Sequence, residues 1–144
     1  MLIRIAIDED LSTLSTLFDE YRQSLGQAAA IEDSHEFMRS RLLENDSVIF
    51  VAIVAKQVVG FIQLYPSLSS RFLKPLWYFD DLYVVEPYRQ KGIATSLVEK
   101  AKELADETNV LAVCREHLGQ DGFLLLESVG TKLTGFSDTS LVSL

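Results

Sequence analysis

The chain has 144 residues, 48% of them hydrophobic and 24% charged, with a formal net charge of −8. That length and apolar content support one domain with its own core over residues 1–144, and no repeat, low-complexity tract or long linker marks a second. The acidity argues against nucleic acid as the main partner, because phosphate contacts need clustered Lys and Arg, and no stretch reaches membrane-spanning length.

Leu2 to Ile7 alternates enough for a first strand. Leu11, Leu14, Leu17, Phe18 and Tyr21 then form a helical stripe behind an Asp8-Glu9-Asp10 cap region. A second, shorter helix is expected near Ser34 to Leu43, with Phe37, Met38, Leu42 and Leu43 on its apolar side. Ser47 to Ala55 and Gln57 to Tyr65 read as a hairpin turning near Lys56, both arms rich in Val, Ile and Phe. Pro66 to Pro75 reads as a serine-rich connection, and Tyr65, Ser67, Ser69, Ser70 and Arg71 on and beside it either touch a substrate or belong to a plain surface loop.

Leu76 to Val85 is a β-branched and aromatic run that Pro87 closes, since proline cannot donate to a ladder. Ile93, Leu97, Ala101 and Leu104 recur three and four apart, predicting a helix to about Thr108. A strand at Val110 to Cys114, a short helix near Asp121 to Ser128 and terminal strand material through Leu144 complete the order β-α-α-β-β-β-α-β-α-β.

The strand-turn-helix segment around Arg89-Gln90-Lys91-Gly92-Ile93-Ala94-Thr95 carries the chemistry. The first N–H groups of a helix have no internal partner, and with the positive end of the helix dipole they favour an anion. Gly92 has no Cβ and tolerates unusual φ, and Ala94 keeps the first turn narrow. Successive N–H groups aimed into one concavity form a nest suited to a diphosphate.

Arg89-x-x-Gly92-x-Ala94 after Asp81-Leu82-Tyr83-Val84 resembles the acyl-CoA signature of the GNAT superfamily of N-acyltransferases, and the element order agrees over essentially the full chain. The resemblance implies an α/β fold with a mixed, mostly antiparallel sheet of six to seven strands flanked by about four helices. It implies acetyl-CoA as co-substrate, no metal, and an acetyl group passed to an amine of a small molecule, peptide or protein by direct attack in a ternary complex. Strands four and five of this fold splay apart, so that the pantetheine arm pairs with backbone groups of Leu82, Tyr83 and Val84. The resemblance further implies a β-bulge in that strand, freeing an N–H from Val84 or its neighbour for the thioester carbonyl.

Relatives often carry a glutamate two residues before the leucine of this strand; here the position is Asp80, read as a proton acceptor working through a water. Strict alternation puts Asp80 on one face with Tyr78, Leu82 and Val84, and Asp81 on the other with Phe79 and Tyr83, unless a bulge swaps the parity. The tyrosine that protonates the departing CoA thiolate in relatives has no counterpart, since Leu126 or Thr131 holds its place. Tyr83, Tyr88 and His117 are the substitute donors, and Gln120 is nearest to a missing asparagine.

That departure keeps a second reading open, a non-catalytic acyl-CoA-binding sensor or interaction domain; a third has the glycine turn serve helix packing alone. Cys114, alone in the chain, cannot make an internal disulfide, and no basic region precedes a long apolar run at the N-terminus; both fit a cytoplasmic location. The acceptor stays open among polyamine, aminoglycoside, amino acid, peptide N-terminus and protein lysine, and a homodimer through exposed strand edges is compatible with the sequence.

Overall fold

In a computed structural model of the chain, which describes residues 1–70, 73–110, 112–116 and 123–127, the apolar runs form six strands. These are β1 (Leu2–Ile5), β2 (Val48–Val54), β3 (Gln57–Ser69), β4 (Lys74–Val84), β5 (Ala112–Glu116) and β6 (Phe123–Glu127). The periodic stretches form α1 (Leu11–Ser24), α2 (Ile31–Glu44) and α3 (Ile93–Glu107), and Asp8–Asp10 and Glu86–Tyr88 make short 3-10 turns. The strands lie in one sheet in chain order, antiparallel throughout except for the parallel pair β4–β5. A parallel pair needs a long crossover, and α3 is part of it.

Both faces of the sheet are covered, which explains why β2 and β3 read as nearly continuous apolar runs. Phe50, Ala52, Ile62, Leu64, Phe79, Leu82 and Val84 meet the α3 stripe Ile93, Leu97, Val98, Ala101 and Ala105 on one face. Ile49, Val51, Phe61 and Tyr83 meet Leu14, Leu17, Phe18 and Tyr21 of α1 and Met38 of α2 on the other. The helical stripes expected from spacing are thus the buried ones, with Leu11 and Leu104 only partly covered. In α2 the apolar side is narrower than expected: Met38 is buried and Leu42 packs at the margin, but Leu43 is 70% exposed.

Two interruptions of register shape the sheet. In β3, Val59 is skipped between the pairs Ala52↔Gly60 and Ile53↔Val58. In β4, Asp80 is skipped between Leu64↔Phe79 and Gln63↔Asp81. Each extra residue shifts the alternation by one, as a β-bulge does. Phe79 therefore shares the α3 face with Leu82 and Val84, and the parity expected from strict alternation is corrected at this point.

The hairpin of β2 and β3 turns through Ala55 and Lys56, whose φ of 50° and 65° match the type I′ geometry favoured by two-residue loops. The expected connection from Pro66 to Pro75 is instead mostly strand: Pro66 opposes Trp77 and Leu68 opposes Pro75. Pro66 is tolerated because β2 reaches no farther than Leu64, which leaves it on an edge that needs no donor, and Pro75 stands at the beginning of β4, where no described residue of β5 opposes it. The helix expected near Asp121 to Ser128, fourth of the expected set, is also corrected. Phe123–Glu127 pairs antiparallel with β5, and the run Phe123-Leu124-Leu125-Leu126 is too short and too uniformly apolar for periodicity to separate helix from strand. The expected terminal strand material, Thr131, His117, Gln120 and Arg71 lie outside the described residues.

Candidate functional site

The site forms where β4 leaves β5. Among the described residues, β5 accompanies β4 only from Trp77 to Phe79, and no described strand pairs with that edge of β4 from Asp80 onward. The expected bulge lies at that departure point, four residues earlier than Val84. The Val84 N–H nevertheless reaches the open edge by a simpler route. In an antiparallel pair the opposed residues alternate between exchanging hydrogen bonds and turning their backbone groups outward. Val85 donates its N–H to the Val59 carbonyl at 2.9 Å, and Tyr83 opposes Phe61 two residues away on the same ladder. Leu82 and Val84, opposed to Ile62 and Gly60, therefore turn their N–H and C=O groups to the side away from β3, where no described strand pairs with them.

Gly60 fits this arrangement by size. A Cβ there would stand 2.9 Å from the Tyr83 carbonyl oxygen and 3.2 Å from a Val84 methyl carbon, so β3 and β4 close tightly at this place only because the residue is glycine.

Beyond Val84 the chain makes the 3-10 turn and enters the segment from Arg89 to Thr95. Gln90 and Gly92 are both left-handed, with φ of 62° and 82°, and Gly92 caps α3. Among the described residues no side chain caps this helix start, and the first intrahelical bond runs from the Ser96 N–H to the Gly92 carbonyl at 3.0 Å. The N–H groups of Ile93, Ala94 and Thr95 precede that bond and have no partner within the helix. A Cβ on Gly92 would meet no other atom within 4 Å, so backbone conformation, not crowding by the protein, makes glycine suit the position. Lys91 stands beside the turn with its ammonium 5.4 Å from the Tyr88 ring centroid. These features match a diphosphate: free N–H groups at a helix start, a cation and an open approach.

Arg89 makes contacts within the protein itself. Its Nε donates to the Val84 carbonyl at 2.7 Å, and its guanidinium lies 5.3 Å from the Tyr83 ring centroid, so the side chain fastens the turn to the end of β4. Tyr83 in turn donates its phenol to Glu20 of α1 at 3.2 Å. Burial first, and the Glu20 carboxylate second, push that phenol above its ordinary range.

Of the two adjacent aspartates, Asp80 occupies the bulge itself, beside the open edge. Asp81 is half-buried on the α1/α2 face and accepts from the Gln63 amide at 3.0 Å and the Tyr65 phenol at 3.4 Å. Gln63 is fully buried and its carbonyl accepts from the Ser47 hydroxyl at 3.1 Å. Burial and the Asp81 charge push the Tyr65 phenol far above its ordinary range. Sequence reading missed this network and the contact to Glu20, because both join residues far apart in the chain. Leu126, one of the two positions aligned with the missing tyrosine, opposes Val113 in the β5–β6 pair.

Comparison with known proteins agrees with this geometry. Residues 12–121 match the model of the acetyltransferase (GNAT) family. A probable acetyltransferase of Haemophilus influenzae is 36% identical over 125 residues, covering 86% of this chain and 85% of the relative. Among solved structures, a probable acetyltransferase superposes with a TM-score of 0.77 at 36% identity, over 84% of this chain and 82% of the other. A predicted acetyltransferase of Clostridium acetobutylicum, solved with acetyl-CoA, gives 0.66 at 18% identity over 81% and 80%.

The chain belongs to the GNAT family of acetyltransferases. It is an acyl-CoA-dependent enzyme of acetyl transfer, built on the mixed α/β sheet that its sequence resemblance implied. Among the described residues, no helix is long and apolar enough to cross a membrane.

Proposed function

We propose that this protein transfers an acetyl group from acetyl-CoA to a primary amine by direct attack in a ternary complex. One observation carries the reading: within residues 80–95, a β4 edge that no described strand covers, with outward Leu82 and Val84 N–H groups, leads into a helix start that no described side chain caps. The acetyl-CoA complex of the Clostridium acetobutylicum protein supports the same co-substrate here.

In this reading the turn from Arg89 to Thr95 takes the diphosphate and the open edge of β4 takes the pantetheine arm as an added strand. Acetyl-CoA supplies the activated acyl group, and the Val84 N–H donates to the thioester oxygen as negative charge develops there. An alkyl ammonium of pKa near 10.4 is free base in only about one molecule in a thousand at neutral pH, so a proton acceptor helps. Asp80, at the bulge beside the open edge, takes that proton through a water. The amine nitrogen then bonds to the carbonyl carbon, the carbon–sulfur bond breaks, and the second nitrogen proton ends on the CoA thiolate, whose thiol pKa near 8.5 makes it a tolerable leaving group. The net charge of −8 suits a cationic acceptor in the cytoplasm.

Calorimetric titration with acetyl-CoA, followed by thiol release against a panel of amines, tests the proposal. Micromolar binding with turnover on at least one amine is expected. Asp80→Asn should lower kcat at least tenfold with acetyl-CoA affinity unchanged; an unaltered rate and pH profile would remove Asp80 from the mechanism. Binding without turnover on any amine would favour a sensor, and absence of binding would overturn the reading of residues 82–95.

A further inference from the structure

Two neighbouring carboxylates on α1 grip different parts of the fold. Asp19 is buried and accepts from the Ser34 hydroxyl at 2.7 Å, the Ala30 N–H at 3.0 Å, and Arg22 and Gln23 at 3.1 Å each. It thereby holds the start of α2 against α1. Glu20, the next residue, accepts the Tyr83 phenol at 3.2 Å. Tyr83 is only 8% exposed, packed with ring centroids 6.2 Å from Tyr21 and 6.4 Å from Phe61. The Arg89 guanidinium faces the same ring at 5.3 Å, while its Nε holds the Val84 carbonyl at 2.7 Å. Among the described residues, neither Glu20 nor Arg89 forms an ion pair, and the Tyr83 side chain touches both.

We propose that Tyr83 is a positioning residue through which α1, by way of Glu20, sets the Arg89 side chain and with it the turn that receives the diphosphate of acyl-CoA. The inference rests on the proposed reading of that turn. A phenol–carboxylate hydrogen bond is charge-assisted and fixes the ring in one rotamer. The fixed ring presents its face to the guanidinium, where the cation is attracted. Arg89 then keeps Nε on the Val84 carbonyl, so the chain leaves β4 in one direction and Gln90 and Gly92 stay in their left-handed conformations. If Glu20 releases the phenol, the ring and guanidinium gain freedom, and the turn must be ordered when the anion binds.

The coupling also runs the other way. Asp19 and Glu20 share one turn of α1, so α1 and α2 are registered against the turn through a single side chain. A binding event that orders either end favours the other by the same free energy.

The test is calorimetric titration of acetyl-CoA into the full-length protein at 10 °C, so that modest stability losses leave it folded, with circular dichroism verifying each variant. Tyr83→Phe and Glu20→Ala should each weaken acetyl-CoA binding about five- to twentyfold. The double variant should be no weaker than either single one, because both break the same link. Glu20→Gln, which keeps an acceptor oxygen, should restore affinity to within twofold of wild type. A role confined to stability would give neither the non-additivity nor the rescue. Wild type binding acetyl-CoA, with Tyr83→Phe and Glu20→Ala both within twofold of it, overturns this inference alone. Wild type failing to bind acetyl-CoA overturns the reading of the turn and this inference with it.

Discussion

Replacing Gly60 with alanine tests whether the close approach of β3 and β4 is needed where the candidate site begins. The added Cβ would stand 2.9 Å from the Tyr83 carbonyl oxygen, 3.2 Å from a Val84 methyl carbon and 3.5 Å from the Val84 Cα. Ordinary van der Waals contact begins near 3.4 Å, so the overlap with the carbonyl is about 0.5 Å, and a backbone atom in a ladder cannot swing aside as a side-chain tip can. Overpacking of this kind costs about 1–3 kcal/mol. Unfolding entropy of about 2.1 cal/mol/K per residue gives about 0.3 kcal/mol/K for a chain of 144 residues, so Tm should fall by about 3–10 °C. Relief must come from β4 moving outward at Tyr83 and Val84, and acetyl-CoA affinity should fall with stability. Differential scanning fluorimetry and calorimetric titration read the two effects. A Tm within 1 °C of wild type, with affinity unchanged, would mean that the strands do not approach as described.

Gly92→Ala separates conformation from space. With φ of 82° and nothing within 4 Å of an added Cβ, stability should fall by about 1 kcal/mol from the left-handed strain alone, while acetyl-CoA binding falls further because the methyl enters the open approach; affinity loss no larger than the stability loss would contradict this. At the β2–β3 turn, where Ala55 and Lys56 hold positive φ, the double change Ala55→Asn, Lys56→Gly supplies the residues a type I′ turn prefers and should raise Tm by about 3 °C without touching activity. Asp10 is held below the usual carboxylate range first by Arg4, which bonds it at 2.7 and 3.1 Å, and Asp19 first by Ser34. Their native values are lower than their unfolded ones, so the stability they contribute is complete above the unfolded value near 3.9 and is lost as pH falls through the lower native values. Urea midpoints should therefore hold between pH 7 and 5 and decline below about 4, and Asp10→Asn should flatten that decline.

What the sequence made legible follows from how local each signal is. The stripes of α1 and α3, the β2–β3 hairpin and the strand–turn–helix around Gly92 are patterns within one element or between neighbours, and each appears where spacing placed it. The extension of β3 and β4 past Pro66 and Pro75 was hidden because a proline reads as a break unless one knows that its strand is an edge there, which depends on how far β2 and β5 run. The strand at Phe123–Glu127 needed its partner β5 to be distinguished from a helix. In the site, Gly92 and the helix start were readable, whereas Glu20 lies on the exposed side of α1 with no periodic mark, and its bond to Tyr83 spans 63 positions. Arg89 showed the limit of a motif. The motif gave no sign that its side chain also secures the protein's own backbone.

The bulge in β4 has a consequence for how this strand could have arisen. Phe79 already pairs with Leu64 and Asp81 with Gln63, so removing Asp80 would leave both flanking segments in their present register and on their present faces. In that sense β4 is an unbroken regular strand with one supernumerary residue, and the two cores it serves are indifferent to its presence. A chain lacking Asp80 should fold with near-native circular dichroism yet lose acetyl transfer, whereas unfolding on deletion would show that the extra residue belongs to the scaffold.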